Sequence, residues 1–175
     1  MSEDELFNQL SKNGFSHLKI EHVMSKPVFT VSEDSDLSMV EREFIKRRIR
    51  HMPVVDGQKR LVGIISQRDL YRTVAPRKNI QGDVEVSIEL LVEDGQCFYD
   101  PKTLEGYILS RVMRKNPETL TSDNSVKEAV HLMVTKKMGG VPVINERREV
   151  TGIITRHDIM SILEIYLSNA TLPDI

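Results

Sequence analysis

The sequence predicts an α+β fold in which two β-α-β-β-α units pack about a pseudo-twofold axis. Its main support is an internal repeat. Shifting the chain by 89 positions places Val23-Met24 on Val112-Met113 and Gly63-Ile64-Ile65 on Gly152-Ile153-Ile154, without a gap. Apolar residues at helical spacing and two apolar strands follow in each copy. A unit of this size buries too little apolar surface alone, so we expect the copies to share a core.

The first half of each unit is predicted to be a strand followed by a helix. Residues Val28 to Val31 are extended after Pro27, and a helix runs from about Asp36 to Ile49. The apolar side chains that define one face of this helix are Leu37, Val40, Phe44 and Ile45. The second copy repeats the pattern, and its Ser125 and Glu128 fit a capping box at the helix start.

The second half of each unit is predicted to be two strands and a helix. In the first copy, strands Met52 to Val55 and Leu61 to Ile65 flank the turn Asp56-Gly57, which is a hairpin signal. A helix then runs from Asp69 to about Val74, and its counterpart in the second copy from Asp158 to about Leu167.

The repeat divides the chain into five parts. These are an N-terminal helical extension at 1–15, a first repeat at 16–75, a linker at 76–106, a second repeat at 107–168 and a tail at 169–175. The extension holds an amphipathic segment, Asp4 to Lys12, which we expect to pack on the protein's own surface. Alternating apolar and polar residues from Val84 to Leu90 predict a hairpin in the linker.

Composition argues against several classes of protein. The net charge is −2 over 175 residues, so the cationic run Lys46 to Arg50 is interpreted as a solvated helix end, not a nucleic-acid site. The single cysteine, Cys97, permits no internal disulfide, and no apolar run reaches membrane-spanning length. Scattered histidines argue against a metal site, and no nucleophile or P-loop motif indicates an enzyme. We expect a cytoplasmic protein without membrane contact.

Each repeat closes with Gly-apolar-apolar-Ser/Thr-x-x-Asp, at Gly63 to Asp69 and at Gly152 to Asp158. Together with Met24 to Pro27 and the Pro-Val strands, these motifs resemble the CBS domain family, over about Ile20 to Leu167 without the linker. The resemblance implies a stand-alone, disc-shaped pair of domains whose two clefts hold an adenosyl ligand: AMP, ADP, ATP or S-adenosylmethionine. It also implies homodimers, a regulatory and non-catalytic role, and an effector protein that senses the ligand.

The resemblance assigns candidate ligand residues in pairs, one from each copy. They are the carboxylates Asp69 and Asp158, the hydroxyls of Ser66 and Thr155, the ring-contacting Ile64 and Ile153, and Phe29 and Glu118, whose backbone faces the adenine edge. An ionised carboxylate accepts the two hydrogen bonds that a ribose diol donates, and a helix N-terminus favours phosphate. The same Ser/Thr-x-x-Asp spacing is also a capping box, so helix capping is an alternative role that does not exclude binding.

The copies differ just before the proline of their second strand. The resemblance gathers Arg50 and His51 in the cleft of Asp158, near Arg156 and His157, and Gly139 and Gly140 in the cleft of Asp69, near Gln67 and Arg68. Charge-assisted hydrogen bonds are roughly twice as strong as neutral ones, so we expect the Asp158 cleft to bind charged nucleotides more tightly. The alternatives are a ligand-free structural dimerisation module and S-adenosylmethionine binding.

Overall fold

The computed structural model describes residues 2–74 and 104–169. The hairpin predicted in the linker and most of the tail lie outside these ranges. The described elements are α1 (Glu3–Asn13), β1 (Val31–Ser32), α2 (Leu37–Arg47), β2 (His51–Val55), β3 (Leu61–Ser66), α3 (Gln67–Val74), β4 (Arg114–Lys115), α4 (Val126–Thr135), β5 (Gly140–Ile144), β6 (Val150–Thr155) and α5 (Arg156–Asn169). The α+β prediction of two related units is therefore confirmed.

The ends of the helices follow from capping. The carboxylate of Asp36 accepts a hydrogen bond from the Ser38 backbone N–H at 2.8 Å and starts α2. That helix ends two residues before the predicted Ile49, because Arg48 takes the left-handed conformation at φ 53°. The capping box predicted for α4 is confirmed: Ser125 and Glu128 each accept a hydrogen bond from the other's backbone N–H.

Each copy contributes a hairpin, and the two hairpins have equivalent registers. In the first copy β2 pairs antiparallel with β3, with His51 opposite Ser66. In the second copy β5 pairs antiparallel with β6, with Gly140 opposite Thr155. The first strands lie parallel to these hairpins. Val31 is opposite Val54 in β2, and Leu120, as an isolated bridge, is opposite Val143 in β5.

The copies exchange the segments that precede their first strands. Ser25, from the first copy, forms an antiparallel bridge with Ile153 in β6 of the second copy. Reciprocally, β4 of the second copy pairs antiparallel with β3 of the first, with Arg114 opposite Ile64. Each hairpin is thus completed by backbone from the other repeat, which the repeat alone does not predict.

The exchange extends into the core. Ile20, which precedes the first repeat's strand, is fully buried among residues of the second copy such as Met133 and Val141. Leu109, from the second copy, is fully buried with Leu37 and Phe44 of the first. Because each core encloses side chains from both repeats, the expected shared core is confirmed.

The N-terminal helix packs on the protein's own surface, as expected. Leu6 and Leu10 of α1 are buried against Ile162 of α5. The rings of Phe7 and Tyr166 lie 6.2 Å apart between their centroids. None of the helices within the described ranges is long and apolar enough to cross a membrane.

Candidate ligand-binding clefts

Asp158 lies in the first turn of α5, where β6 ends. Its Oδ2 accepts hydrogen bonds from the backbone N–H and the hydroxyl of Thr155, both at 2.6 Å. Its Oδ1 accepts a hydrogen bond from the hydroxyl of Ser25 at 2.9 Å. The half-buried carboxylate therefore binds the start of its own helix through Oδ2 and the exchanged segment of the first copy through Oδ1.

Asp69 has the equivalent place in the first turn of α3. Its Oδ2 accepts hydrogen bonds from the Ser66 backbone N–H at 2.9 Å and the Ser66 hydroxyl at 2.6 Å. The capping role that the sequence left open is thus present in both copies. Both helices begin at the residue after Ser66 or Thr155, two residues earlier than predicted. In the second copy the hydroxyl of Thr155 also accepts a hydrogen bond from the Asp158 backbone N–H, at 3.4 Å.

A short stretch of chain crosses between the copies beside each carboxylate. We call residues 26–30 and 115–119 the crossing segments. Ser25 exchanges two backbone hydrogen bonds with Ile153 (2.9 and 3.2 Å), and the chain then runs to β1 in the first copy. The second crossing segment runs equivalently from β3 to the bridge at Leu120. Phe29 therefore follows the Ser25–Ile153 bridge, and Glu118 follows the pairing of Arg114 with Ile64. Their assignment to the clefts of Asp158 and Asp69 stays a prediction.

The side chains of Phe29 and Glu118 each contact a cation at the C-terminal end of a helix in their own copy. The guanidinium carbon of Arg47 lies 3.6 Å from the centroid of the Phe29 ring. At the equivalent place, Lys136 Nζ lies 3.0 Å from a carboxylate oxygen of Glu118. These contacts direct both side chains toward the ends of α2 and α4. A ligand contact to the backbone of the crossing segments stays a prediction.

The glycine that opens each closing motif packs closely against a methionine side chain. A Cβ on Gly63 would overlap the sulfur of Met113, and a Cβ on Gly152 would overlap the sulfur of Met24. Both methionines belong to the exchanged segments. The two copies therefore share an equivalent Met–Gly contact across the repeat boundary. The sequence showed these Gly and Met residues in register, but their contact was not predicted.

His51 lies at the junction of the two copies. Its imidazole packs against Gly139 and Gly140, where a Cβ on Gly139 would be 2.5 Å from Nε2. Burial lowers the pKa of His51 below its usual 6.5, and the nearby carboxylate of Asp69 opposes this shift. The cations that reinforce the lowering are Arg156, Arg50 and Arg68. Because Asp69 is the carboxylate that acts on His51, the assignment of His51 to the Asp158 cleft stays a prediction.

Arg50 and Arg156 lie at the same junction, and the other candidate residues belong to β3, β6, α3 and α5. Arg156 donates from Nε to the Met138 carbonyl at 3.2 Å, and its backbone N–H donates to the Gly139 carbonyl at 3.1 Å. The Arg50 carbonyl accepts from the Gln67 backbone N–H at 3.2 Å. Ile64 and Ile153 are each 6% exposed, and Arg68 and His157 are exposed at the starts of α3 and α5.

Neither Asp69 nor Asp158 lines either of two open cavities. One, of about 340 Å³, lies between the hairpin turns and is lined by Asp56, Arg60, Leu61, Val62, Asn116 and Arg148. The other, of about 490 Å³, lies beside α4 and is lined by Glu118, Thr119, Leu120, Lys127, Glu128, His131 and Leu132. No group of three or more potential ligand side chains that fits a metal ion occurs within residues 2–74 and 104–169.

The family model of the CBS domain matches this chain twice, at residues 20–76 and 109–165, so the chain belongs to the CBS domain family. A CBS domain-containing protein of Dictyostelium discoideum is 29% identical over 144 residues, covering 82% of this chain and 90% of the relative. A homoserine O-acetyltransferase of Methanohalobium evestigatum is 24% identical over 162 residues, covering 93% of this chain but 27% of that enzyme.

Solved CBS proteins have the same fold. A CBS domain pair solved in complex with 5′-methylthioadenosine and S-adenosyl-L-methionine matches with a TM-score of 0.65 at 24% identity, covering 83% of this chain and 95% of its own. A second CBS protein, solved in complex with AMP, matches with a TM-score of 0.62 at 17% identity, covering 85% of this chain and 98% of its own. These likenesses show the architecture of a CBS domain pair.

Proposed function

We propose that this chain is a regulatory module that binds an adenine nucleotide (AMP, ADP or ATP) in the clefts of Asp69 and Asp158. The observation that carries the proposal is the place of each carboxylate: it lies at a helix start, directly after a strand that pairs with backbone from the other copy. A carboxylate at the start of a helix suits ribose hydroxyls, and the helix N-terminus suits phosphate. The two related structures with adenosyl ligands support this class of ligand. S-adenosylmethionine is the alternative within it.

The exchanged segments supply a route for regulation. A ligand held by Asp158 and the first crossing segment would contact elements of both copies, so its binding free energy would depend on how the copies are arranged. A ligand that prefers one arrangement shifts the population toward it. We infer that a cytoplasmic effector protein senses this shift, and that the module itself does no chemistry.

Homodimerisation is part of the proposal. Ile45 on α2 and Val134 on α4 occupy equivalent positions and are 50% and 71% exposed. Apolar side chains this exposed on helices at matching places suit a second copy of the module. Native mass spectrometry of the purified protein tests this and would identify any small molecule that co-purifies.

The ligand proposal is tested by isothermal calorimetry with AMP, ADP, ATP and S-adenosylmethionine. We expect saturable binding, lost in part in Asp69→Ala and in Asp158→Ala and lost fully in the double variant. A free-ligand concentration a hundred times the dissociation constant should also add about 2.7 kcal/mol to the free energy of unfolding. Urea denaturation of each variant without ligand is the control, since loss of the cap alone lowers stability.

A ligand-free structural module is the second candidate. It is favoured by the finding that both carboxylates already cap their own helices. On this candidate no adenosyl compound at millimolar concentration changes the unfolding transition, and the two Asp variants differ from the natural protein in stability alone. That combination of results would contradict the regulatory proposal.

A further inference from the structure

The two carboxylates differ in the hydrogen-bonding capacity that they leave for a ligand. A carboxylate has about four lone-pair positions, two on each oxygen. In both copies Oδ2 accepts two hydrogen bonds from its own Ser or Thr. On Asp158, Oδ1 also accepts from Ser25. On Asp69, no residue in the described ranges donates to Oδ1.

This difference arises from a substitution at one repeated position. Ser25 and Arg114 occupy equivalent places beside Ile153 and Ile64. Ser25 is fixed there by two backbone hydrogen bonds to Ile153 at 2.9 and 3.2 Å, so its short side chain brings the hydroxyl to the carboxylate without a further conformational change. Arginine has no hydroxyl, and the equivalent bond is missing at Asp69.

We propose that the Ser25 hydroxyl competes with the ribose for Asp158 and so makes the Asp69 cleft the better site for a ribose diol. The proposal rests on the adenosyl-binding function above. Because Oδ2 is occupied in both copies, the two hydroxyl donors of a 2′,3′-diol need both lone pairs of Oδ1, and on Asp69 both are free of donors from the described residues. On Asp158 only one lone pair of Oδ1 is available, unless the Ser25 hydroxyl gives up its hydrogen bond. The Asp158 cleft therefore engages one ribose hydroxyl where the Asp69 cleft engages two.

Adenosine isolates this effect, because it carries the ribose and the base without the phosphates that Arg50 and Arg156 would attract. The exposed hydroxyl of Ser25 is a mild site for substitution, so Ser25→Ala is the informative variant. Ile64 and Ile153 lie opposite Arg114 and Ser25 on the strands that lead to Asp69 and Asp158, so they supply separate reporters when their δ1 methyl groups are labelled with ¹³C. Methyl spectra then yield a dissociation constant for each cleft within one sample.

In the natural protein, we expect adenosine to bind more tightly at the Ile64 reporter than at the Ile153 reporter. Replacing adenosine with 2′-deoxyadenosine should weaken binding more at Ile64, because that cleft uses both hydroxyls. Ser25→Ala should tighten adenosine at Ile153 by about 2- to 10-fold, which matches the net free energy of one hydrogen bond. It should also raise the penalty for 2′-deoxyadenosine there, and it should leave the Ile64 reporter unchanged as the internal control.

The competition is overturned if Ser25→Ala leaves adenosine affinity at Ile153 unchanged or weaker, or if the deoxy penalty is equal at both clefts in the natural protein. Either result would leave adenosyl binding itself intact. A different result separates the two proposals: if neither methyl responds to adenosine or AMP in the natural protein, the adenosyl-binding function fails and the competition fails with it.

Discussion

The imidazole of His51 in the first copy packs against Gly139 and Gly140 in the second, and Gly139→Ala tests this packing directly. The added Cβ would lie 2.5 Å from Nε2 and 2.8 Å from Cε1 of the imidazole. Ordinary carbon contacts are near 3.5 Å, so the overlap is about 1 Å. Overpacking of this kind costs typically 1–3 kcal/mol. Since the atoms struck are at the end of a side chain that can rotate off its rotamer, we expect the lower part of that range, about 1–2 kcal/mol.

The measurement is urea denaturation followed by circular dichroism, with the free energy of unfolding obtained by linear extrapolation. The backbone of Gly139 is not left-handed, so the clash is the reason for any loss. In a His51→Ala background the same substitution should cost below about 0.5 kcal/mol, because the ring is gone. Gly57→Ala is the matched control: nothing lies within 4 Å of its Cβ, and we expect little change. Equal costs of Gly139→Ala with and without His51 would refute this packing.

Three further outcomes are expected. Burial lowers the pKa of His51, so below pH 6.5 the unfolded chain binds a proton more readily than the folded protein does, and the free energy of unfolding should fall as the pH drops. Urea titrations at pH 7.5 and 5.5 measure this fall, which should be smaller in His51→Gln. Leu10→Ala, at a side chain 3% exposed, should cost about 2–3 kcal/mol by thermal denaturation, whereas the exposed Asn8→Ala on the same helix should cost little. Glu118→Gln should cost below about 1 kcal/mol, and less in high salt, since both partners of its ion pair are about half exposed; a larger, salt-independent loss would contradict this.

The architecture was largely predictable because local patterns determine it. Apolar spacing located α2, the Ser125–Glu128 box located the start of α4, and the turn at Asp56-Gly57 located the first hairpin. The errors were at boundaries. The positive φ of Arg48, a residue with no particular preference for that conformation, shortened α2, and no pattern in the sequence marks it.

Within the candidate site, the local hydrogen bonds were predictable from the sequence, but the contacts between the two copies were not. The carboxylates and their Ser or Thr partners follow from one repeated motif, and their hydrogen bonds are local. The bond from Ser25 to Asp158 joins residues 133 positions apart, and it depends on backbone pairing that leaves no side-chain pattern. One sequence feature did indicate a contact between the copies. The second repeat has Gly139 and Gly140 where the first has Arg50 and His51, and the missing side chains leave space that the His51 ring occupies.

The reciprocal exchange of leading segments has a consequence for any attempt to divide this protein. A first repeat cut from the second would leave Ile20 without its enclosing core, and would uncover the edge of β3 that β4 otherwise satisfies. Such a half could complete its hairpin and core only in a dimer, in which each copy pairs the segment before its first strand with the hairpin of its partner. Because each core needs side chains from both repeats, we expect the two repeats to unfold together as one cooperative unit.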